Sequence, residues 1–337
     1  MADGNGSEAR GAAAPPGWSV LRTTVRDGSR PPAPRGGHSA LLVGPQLLVQ
    51  GGTQRSGGSF EYFSLSPLAL DTHTHAWAEP RVALGKGPAP RAWHSASRVG
   101  QAVVVFGGVA AGGARGDAPR FDLTRMAWEE ADVRGRAPRA RSMHAAAVRG
   151  GTLVVLGGFD GKVSLGEVHL LDVAAAVWSQ PRCEGQAPPP LQSHACAVAG
   201  ERIFVVGGAT VSLDEKGHTY SKLNDEAYTL HTETMTWERV RKRGQLPSPR
   251  SYAAIATVDN LLVVLGGWSG KCEPLSSLST FDLDGLGSWA TVEVPGQAPA
   301  GVYGHTATVV GTNIVVFGGW DGISPMNAVN VLDTSQL

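Results

Sequence analysis

The sequence predicts an all-β fold, a six-bladed β-propeller, and three observations carry this prediction. Six Gly-Gly pairs recur at intervals of 50 to 59 residues, and each follows a short apolar run. Six tryptophans recur in the same frame, and a turn residue precedes each of the last five. A repeat of about 50 residues indicates a radial array, because one such unit cannot bury its apolar face alone. The second glycines of the pairs are Gly52, Gly108, Gly158, Gly208, Gly267 and Gly319.

The third unit predicts four antiparallel strands in order. Residues 144–148 form a short apolar innermost strand that ends at the glycines of positions 150 and 151. Residues 153–156 are a continuous aliphatic run, which is typical of a strand covered on both faces. Residues 168–171 form the third strand, and Asp172 then opens a tight turn whose N–H groups its carboxylate can cap. Trp178 begins the outer strand, so the unit is one propeller blade.

The same frame recurs in the other units. The repeated tryptophans are Trp18, Trp77, Trp128, Trp178, Trp237 and Trp289. The turn residues are Asp71, Asp122, Asp172, His231, Asp282 and Asp333. The apolar Gly-Gly strand, the turn and the spaced tryptophan together resemble the kelch-repeat family, from about Trp18 to the C-terminus. The resemblance implies a kelch-only propeller, similar to proteins of the host-cell-factor and Rab-effector type.

The two ends of the chain predict how the ring closes. The chain ends with a third strand and its turn at Asp333, whereas it begins with an outer strand at Trp18. We therefore expect the N-terminal strand to complete the sixth blade and to cover an edge that would otherwise be exposed. Residues 1–17 are predicted to be a disordered leader rich in Ala, Gly and Pro, and residues 18–337 the propeller. The blades are expected to start near His38, His94, His144, His194, Ala253 and His305.

The loops between the second and third strands are longest in blades one and four. Because these blades lie opposite each other in a ring of six, the loops are expected to form two lips of one opening. Exposed aromatic and charged side chains on such loops favour contact with a partner; alternatively, the rings fold back onto their own loop. The candidate contact residues on the two loops are Phe60, Tyr62, Phe63, Asp214, Glu215 and Tyr220.

The connections that lead into the innermost strands form the second candidate site. In kelch proteins that bind acidic peptides, arginines at this place line the opening, and the resemblance implies the same role here. Alternatively, each arginine pairs with a neighbouring carboxylate or carbonyl and holds the ring together. The candidate residues are Arg35, Arg91, Arg141 and Arg250, with Trp93, Met143, Tyr252 and Tyr303 beside them. Further arginines and a lysine nearby predict a basic face that attracts an acidic peptide or domain.

Catalysis and metal binding are less well supported by the sequence. Five histidines recur at the starts of innermost strands, and a repeated structural hydrogen bond explains them more simply than a metal ring. The alternative is a metal-dependent or small-molecule enzyme of the nitrile-specifier type, with its site in the axial funnel. Asp214 and His218 have the four-residue step of such a site, but Thr210 stands at the third position. We therefore expect no cofactor and no catalytic residues.

Bulk composition narrows the class of partner. The formal net charge is +0, so no overall charge attracts nucleic acid or a membrane surface. No apolar stretch reaches the ~20 residues that a membrane helix needs. The three cysteines are too few and too scattered for a disulfide framework, which indicates a reducing compartment. We therefore predict a cytoplasmic protein, with cytoskeletal, ciliary or trafficking association. The sequence thus predicts a non-catalytic protein-interaction module or scaffold subunit that binds an acidic peptide or domain.

Overall fold

A computed structural model describes residues 17–26, 28–83, 87–129, 132–271, 273–284 and 287–337. Six β-sheets of four or five strands follow one another around a central axis, which confirms the six-bladed propeller. Consecutive innermost strands contact each other around the whole ring, including the first with the last. Apart from Gly17, the predicted leader lies outside the described residues, as does Cys272.

The two inner strands of each blade carry the apolar runs of the sequence. The innermost strands are β3 (Ser39–Val43), β9 (Ser95–Val99), β16 (Ala145–Arg149), β21 (Ala195–Ala199), β27 (Ala254–Val258) and β31 (Thr306–Val310). Each begins one residue after its expected start. The second strands, which contain most of the buried aliphatic side chains, are β4 (Gln46–Gln50), β10 (Ala102–Phe106), β17 (Thr152–Phe159), β22 (Arg202–Val206), β28 (Leu261–Leu265) and β32 (Asn313–Phe317).

The two outer strands complete each blade and pair antiparallel with their neighbours. The third strands are β7 (Leu68–Asp71), β13 (Arg120–Asp122), β18 (Ser164–Asp172), β25 (Ala227–His231), β29 (Leu278–Asp282) and β33 (Val329–Asp333). The outermost strands are β8 (Ala76–Ala78), β14 (Ala127–Glu129), β19 (Val177–Ser179), β26 (Thr236–Arg239), β30 (Trp289–Val292) and, in blade six, β1 (Trp18–Val20). In blade three the second and third strands extend further and contain a bulge at Gly157.

The N-terminal strand closes the ring as expected. β1 pairs antiparallel with β33, with Trp18 opposite Leu332. The Trp18 backbone N–H also donates to the carbonyl of Pro295 at 2.8 Å, and the Asp333 N–H donates to the carbonyl of Gly17 at 3.1 Å. Because these bonds join the two ends of the propeller, opening the ring breaks a sheet as well as an interface between blades.

The repeated tryptophans pack between blades, as their spacing indicates. The Trp77 ring of blade one lies 5.2 Å from the Phe317 ring of blade six, and Trp178 of blade three lies 5.2 Å from Phe106 of blade two. The turn aspartates cap as expected: Asp71 Oδ1 accepts the N–H groups of His73 and Thr74 at 3.0 and 2.9 Å. Large rings once per blade thus fill the wedge between neighbouring sheets.

The sequence did not predict a set of very short strands at the outer edges. β2 (Thr24–Val25), β15 (Arg134–Gly135) and β20 (Glu184–Gly185) run parallel to β8, β19 and β26. Two-residue segments leave no periodicity in a sequence. They cover the unpaired side of the outermost strand, which otherwise could pair with another chain.

The remaining elements lie outside the blade sheets. Three small hairpins follow Gly-Gly pairs: β5 (Thr53–Ser56) with β6 (Ser59–Tyr62), β11 (Val109–Ala110) with β12 (Gly113–Ala114), and β23 (Ala209–Leu213) with β24 (Thr219–Leu223). A single turn of 3₁₀ helix, η1 (Thr334–Gln336), ends the chain. Among the described residues, no helix has the length and apolar character needed to cross a membrane.

Candidate functional site

The four repeated arginines are buried inside the blades and do not line the opening. Arg91 and Arg141 are 0% exposed, Arg250 is 2% exposed and Arg35 is 5% exposed. Each donates through Nη1 to the carbonyl of the first glycine of its own blade's Gly-Gly pair, at 2.8 to 3.1 Å. Each also donates through Nε to the carbonyl two residues before it. The expectation of an arginine-lined opening is therefore not met, and the alternative, that they hold the blades, describes their contacts.

The blades that lack the arginine clarify its role. Blade four has Leu191 at this place, and there the side chain of Asn224 donates to the Gly207 carbonyl at 3.1 Å instead. Burial lowers the pKa of both Arg35 and Arg250 to about 10, so both guanidinium groups stay charged near neutral pH. A donor to the Gly-Gly carbonyl is thus part of the frame of the blade, since an unpaired buried carbonyl is costly.

Three of the five repeated histidines form side-chain hydrogen bonds to the neighbouring blade. Nε2 of His94 lies 3.0 Å from Ser39 Oγ, and Nε2 of His144 lies 2.9 Å from Ser95 Oγ. His38 makes the equivalent contact with Thr306 Oγ1 at 3.0 Å. Burial lowers the pKa of all five strand-start histidines below the usual 6.5. They are therefore uncharged near neutral pH. The repeated structural hydrogen bond is found at His38, His94 and His144, whereas neither ring nitrogen of His305 has a hydrogen-bond partner among the described residues.

A closed ring of backbone hydrogen bonds surrounds the axis. It joins the residue just before the strand-start position in each blade, and each N–H donates to the carbonyl of the preceding blade at 2.7 to 2.9 Å. Each of these residues has a φ between +54° and +65°, the left-handed region. We call this set the axial ring; its members are Gly37, Trp93, Met143, Ser193, Tyr252 and Gly304. Because the backbone contacts are equivalent in all blades, only the side chains distinguish the six positions.

The side chains of the axial ring fill the axis unequally. The Trp93 indole lies over the two glycines, since a Cβ at Gly37 or Gly304 would lie 2.7 or 2.6 Å from its ring atoms. Trp93 also reaches the opposite side of the propeller, where its ring centroid is 4.9 Å from that of Tyr252. The Tyr252 hydroxyl in turn donates to Met143 Sδ at 3.3 Å. Together these side chains separate a cavity on one face from a smaller one of about 130 Å³ among the histidines.

The larger of these two cavities has a volume of about 470 Å³, and we call it the axial cavity. This lies within the range of about 300 to 1,000 Å³ that is typical of binding pockets. Seven of its 13 lining residues are aromatic. They are Phe60, Tyr62, Trp93, Tyr252, Trp268, Tyr303 and Trp320. The structure thus brings together six residues singled out in the sequence: Phe60, Tyr62, Trp93, Met143, Tyr252 and Tyr303.

Several lining residues were missed by sequence reasoning. Trp268 and Trp320 directly follow the Gly-Gly pairs of blades five and six, where the other blades have smaller residues or Phe159. That pair of tryptophans outside the repeat frame was a usable signal. Arg55 and Ile323 also line the cavity, on the loops of blades one and six. Ile323 is 89% exposed and Phe60 is 61% exposed, so the rim of the axial cavity carries apolar side chains in water.

The remaining candidates lie apart from the axial cavity. Phe63 folds back, with the Arg35 guanidinium carbon 4.2 Å from its ring centroid. Asp214, Glu215 and Tyr220 lie on the β23–β24 hairpin, which packs against blade three through a hydrogen bond of 2.8 Å from the Val211 N–H to Ser164 Oγ. These three residues do not line the axial cavity, so the two long loops are not lips of one cavity. Tyr220 is 54% exposed and forms a second exposed surface.

Arg139 and Lys242, two of the basic side chains behind the predicted basic face, lie beside carboxylates. Arg139 lies 3.2 Å from Glu167 and 3.5 Å from Asp160. Lys242 lies 3.0 Å from Asp225 and 2.9 Å from Glu226. Because these pairs neutralise one another, the face is less basic than expected.

The metal alternative finds no support in the side-chain geometry. Asp214 Oδ1 accepts the N–H groups of Lys216 and His218 at 2.9 and 2.7 Å, and its other oxygen lies 3.1 Å from His218 Nδ1. These contacts shape the hairpin turn. Across the described parts of the chain, no group of three or more His, Cys, Asp or Glu side chains is arranged to hold a metal ion.

Comparison with known proteins gives one match that covers nearly all of the chain. The family model described as the KLHDC2/KLHL20/DRC7 kelch-repeats domain matches residues 17–208 and 214–337. Its two segments are separated only by residues 209–213, the first strand of the blade-four hairpin. The match therefore includes all six blades and the N-terminal strand that closes the ring.

Individual relatives match over shorter stretches. Acyl-CoA-binding domain-containing protein 5 of Arabidopsis thaliana is 34% identical over 119 residues, 35% of this chain and 18% of that protein. Rab9 effector protein with kelch motifs of Homo sapiens is 32% identical over 96 residues, 28% of this chain and 26% of that protein. Kelch domain-containing protein 3 of Bos taurus is 31% identical over 125 residues, 35% of this chain and 31% of that protein. Each match thus spans less than a third of the relative.

Proposed function

The chain belongs to the kelch-repeat family of the KLHDC2/KLHL20/DRC7 type, and on this premise we propose that it is a non-catalytic protein-interaction module, acting as an adaptor or scaffold subunit. Its partner binds at the face where the axial cavity opens. The single observation that carries this proposal is the concentration of seven aromatic side chains around one cavity of about 470 Å³.

The chemistry of the rim supports a protein as the ligand. Aromatic residues and arginine dominate the energetics of protein interfaces, and they act most strongly at the centre of a contact. Here the aromatic rings line the centre, while Phe60 and Ile323 are exposed at the edge. A partner that covers these two side chains removes apolar surface from water at about 25 cal/mol per Å².

The charges of the axial cavity favour an acidic segment of the partner. Arg55 is the one charged residue among the 13 that line it. The nearby Asp321 carboxylate accepts the backbone N–H groups of Ile323 and Ser324. The four repeated arginines, which the sequence placed at the opening, are buried and donate to backbone carbonyls. Arg55 therefore replaces them as the proposed contact for a carboxylate. A charge at the rim contributes mainly to specificity and to the rate of association.

The relatives support an interaction role without indicating the partner. One of them is named as an effector of Rab9. Another match, over 29% of this chain, is to host cell factor 1 of Rattus norvegicus. The cytoplasmic location, with cytoskeletal, ciliary or trafficking association, stays a prediction.

Affinity capture from native extract, quantified by mass spectrometry, tests the proposal. The test variant is Phe60→Ser with Ile323→Ser, which removes the two exposed apolar side chains of the rim. The matched control is Leu213→Ser with Tyr220→Ser, which removes side chains that are 47% and 54% exposed on the blade-four hairpin. Both variants should melt within a few degrees of the parent protein, because surface substitutions usually change stability by less than about 0.5 kcal/mol.

The two variants distinguish the candidate surfaces. Loss of a captured protein with the rim variant alone supports binding at the axial cavity. Loss with the hairpin variant alone places the contact on blade four and contradicts the proposal, as does a partner set that neither variant changes.

A further inference from the structure

The backbone beside the six Gly-Gly pairs is already occupied by hydrogen bonds. In every blade, the connection into the innermost strand pairs with the residue after the Gly-Gly pair through two backbone hydrogen bonds. The Ser251 N–H donates to the Trp268 carbonyl at 2.9 Å, for example, and the Trp268 N–H donates back at 2.7 Å. A peptide that adds as a β-strand needs unpaired N–H and C=O groups along an edge. At these six positions the chain therefore offers side chains, rather than free backbone groups, to an occupant of the axial cavity.

Four aromatic rings form a continuous wall inside the cavity. The ring centroids of Trp93 and Tyr252 are 4.9 Å apart, those of Tyr252 and Tyr303 are 5.9 Å apart, and those of Tyr303 and Trp268 are 5.4 Å apart. Successive contacts of this kind make one apolar surface that runs from the axis towards blade five. Grooves lined by aromatic rings are the surface on which polyproline II segments bind.

The same wall carries hydrogen-bond donors. In the described part of the chain, no side-chain hydrogen bond occupies the Tyr303 hydroxyl or the Trp268 indole N–H. A polyproline II segment has no internal hydrogen bonds, and its carbonyl groups project outwards with about 3.1 Å of rise per residue. These two donors can therefore satisfy carbonyls of a segment that stacks on the wall.

The charge of the cavity lining disfavours the other ligand that aromatic cages commonly bind. A methylated lysine or another quaternary ammonium is held by the faces of aromatic rings. Here Arg55 supplies positive charge from the lining. The charge of the Asp321 carboxylate reaches Tyr303, but this carboxylate already accepts the backbone N–H groups of Ile323 and Ser324. Charge complementarity instead favours a carboxylate beside the stacked segment.

Building on the proposed partner site, we infer that the axial cavity binds a proline-containing segment of the partner in the polyproline II conformation. One or more prolines stack on the wall of Trp93, Tyr252, Tyr303 and Trp268, and a neighbouring glutamate or aspartate faces Arg55. The preformed conformation of such a segment loses little entropy on binding.

Two arrays of immobilised peptides test this inference with the full chain. The first presents proline-rich peptides with one glutamate at varied positions, and the second presents the same peptides with every proline replaced by alanine. We expect binders only in the first array, confirmed in solution by fluorescence anisotropy. Tyr303→Phe removes only a hydroxyl and should weaken binding about 10-fold, which corresponds to about 1.4 kcal/mol. Arg55→Glu should shift the preference from glutamate-bearing to lysine-bearing peptides.

Other outcomes overturn the inference in distinguishable ways. Equal binding to the alanine array would mean that acidity alone selects the ligand. Selective binding of trimethyl-lysine peptides, added as a third set, would mean that the rings form a cation cage. If no peptide binds while the rim variant still loses a captured partner, the ligand class is wrong and the proposed function stands. If capture is also unaffected by the rim variant, both fail.

Discussion

Two positions in the same connection, two residues apart, behave in opposite ways. At the first, four blades have arginine, every guanidinium is buried, and every one bonds to the equivalent carbonyl. At the second, the axial ring, the backbone is equivalent in all blades but the side chains range from glycine to tryptophan. The repeated position builds the blade and the varied position shapes the cavity. In a repeat protein, the residues that depart from the frame are thus the better guide to a binding site.

Removing the N-terminal strand removes the sheet pairing that closes the ring, and we expect it to have the largest effect on stability. Deleting residues 1–25 removes β1, its pairing with β33 and the buried Trp18 ring. Loss of a buried tryptophan side chain alone costs about 3 to 5 kcal/mol, and the strand adds its sheet hydrogen bonds. We expect no cooperative thermal transition. A matched deletion of residues 1–16 should melt like the parent protein, and equal melting of both truncations would contradict the closure.

Acid tests the histidines of the frame. Burial lowers the pKa of His94 to about 3 and that of His194 and His305 to about 4, below the 6.5 of the unfolded chain. Below pH 6.5 the unfolded chain therefore binds protons that the folded chain does not. The contribution of each buried, neutral histidine to the free energy of unfolding is fully present above pH 6.5. As the pH falls from 6.5 towards the folded pKa, this contribution decreases by about 1.4 kcal/mol per pH unit.

Thermal melts across pH 4 to 8 measure this dependence. Melting temperature should be flat above about pH 6.5 and fall steeply below it. His194→Ala copies Ala253 of blade five and should make the acid slope shallower by about 1.4 kcal/mol per pH unit. An unchanged slope would mean that His194 is protonated in the folded chain.

Substitution of two arginines compares a residue that holds the blade together, Arg91, with a residue that lines the axial cavity, Arg55. Arg91→Ala leaves the Gly107 and Ala89 carbonyls and the Asp117 carboxylate without their donor, so we expect a loss of about 3 to 5 kcal/mol. Arg55→Ala removes an exposed side chain and should change stability by less than about 0.5 kcal/mol. Chemical denaturation of both variants provides the comparison. Equal stability would show that burial of Arg91 contributes little.

Two glycine substitutions test whether the Trp93 indole packs against Gly37. Gly37→Ala places a Cβ 2.7 Å from the indole at a φ of +64°, whereas Gly44→Ala meets nothing within 4 Å at a φ of +54°. Both should lose the ~1 to 2 kcal/mol of a left-handed backbone, and Gly37→Ala should lose more because Trp93 must move. Tryptophan fluorescence should shift only for Gly37→Ala. A shift in neither variant would mean that Trp93 is not seated on Gly37.

A side chain inside the cavity is expected to affect binding more than stability. Trp268 takes part in the repeated contacts of the blade through its backbone, and its side chain is only half-buried, so Trp268→Ala should cost less than Arg91→Ala while abolishing capture of the partner. Thermal melts and affinity capture on the same preparations measure both quantities. Retained capture with lowered stability would place Trp268 in the frame.

The fold could be predicted from the sequence because its signals are local and repeated. Gly-Gly pairs and tryptophans each recur once per blade, turn aspartates recur in five of the six, and closure follows from the phase of the two ends. The four repeated arginines were predicted to line the opening, whereas they are buried in the blades, because spacing does not reveal which way a side chain points. The carbonyl that Arg91 needs lies 16 residues further along the chain. The tryptophans of blades five and six, Trp268 and Trp320, stood outside the frame and were overlooked for that reason.

Site-specific photo-crosslinking tests the central claim most directly. A benzophenone amino acid placed at Phe60, on the rim of the axial cavity, is compared with one at Tyr220, which has similar exposure on the blade-four hairpin. The account predicts that irradiation in native extract crosslinks a partner protein from position 60 and not from position 220. Crosslinking from position 220 alone would contradict it, because the partner would then bind away from the axial cavity.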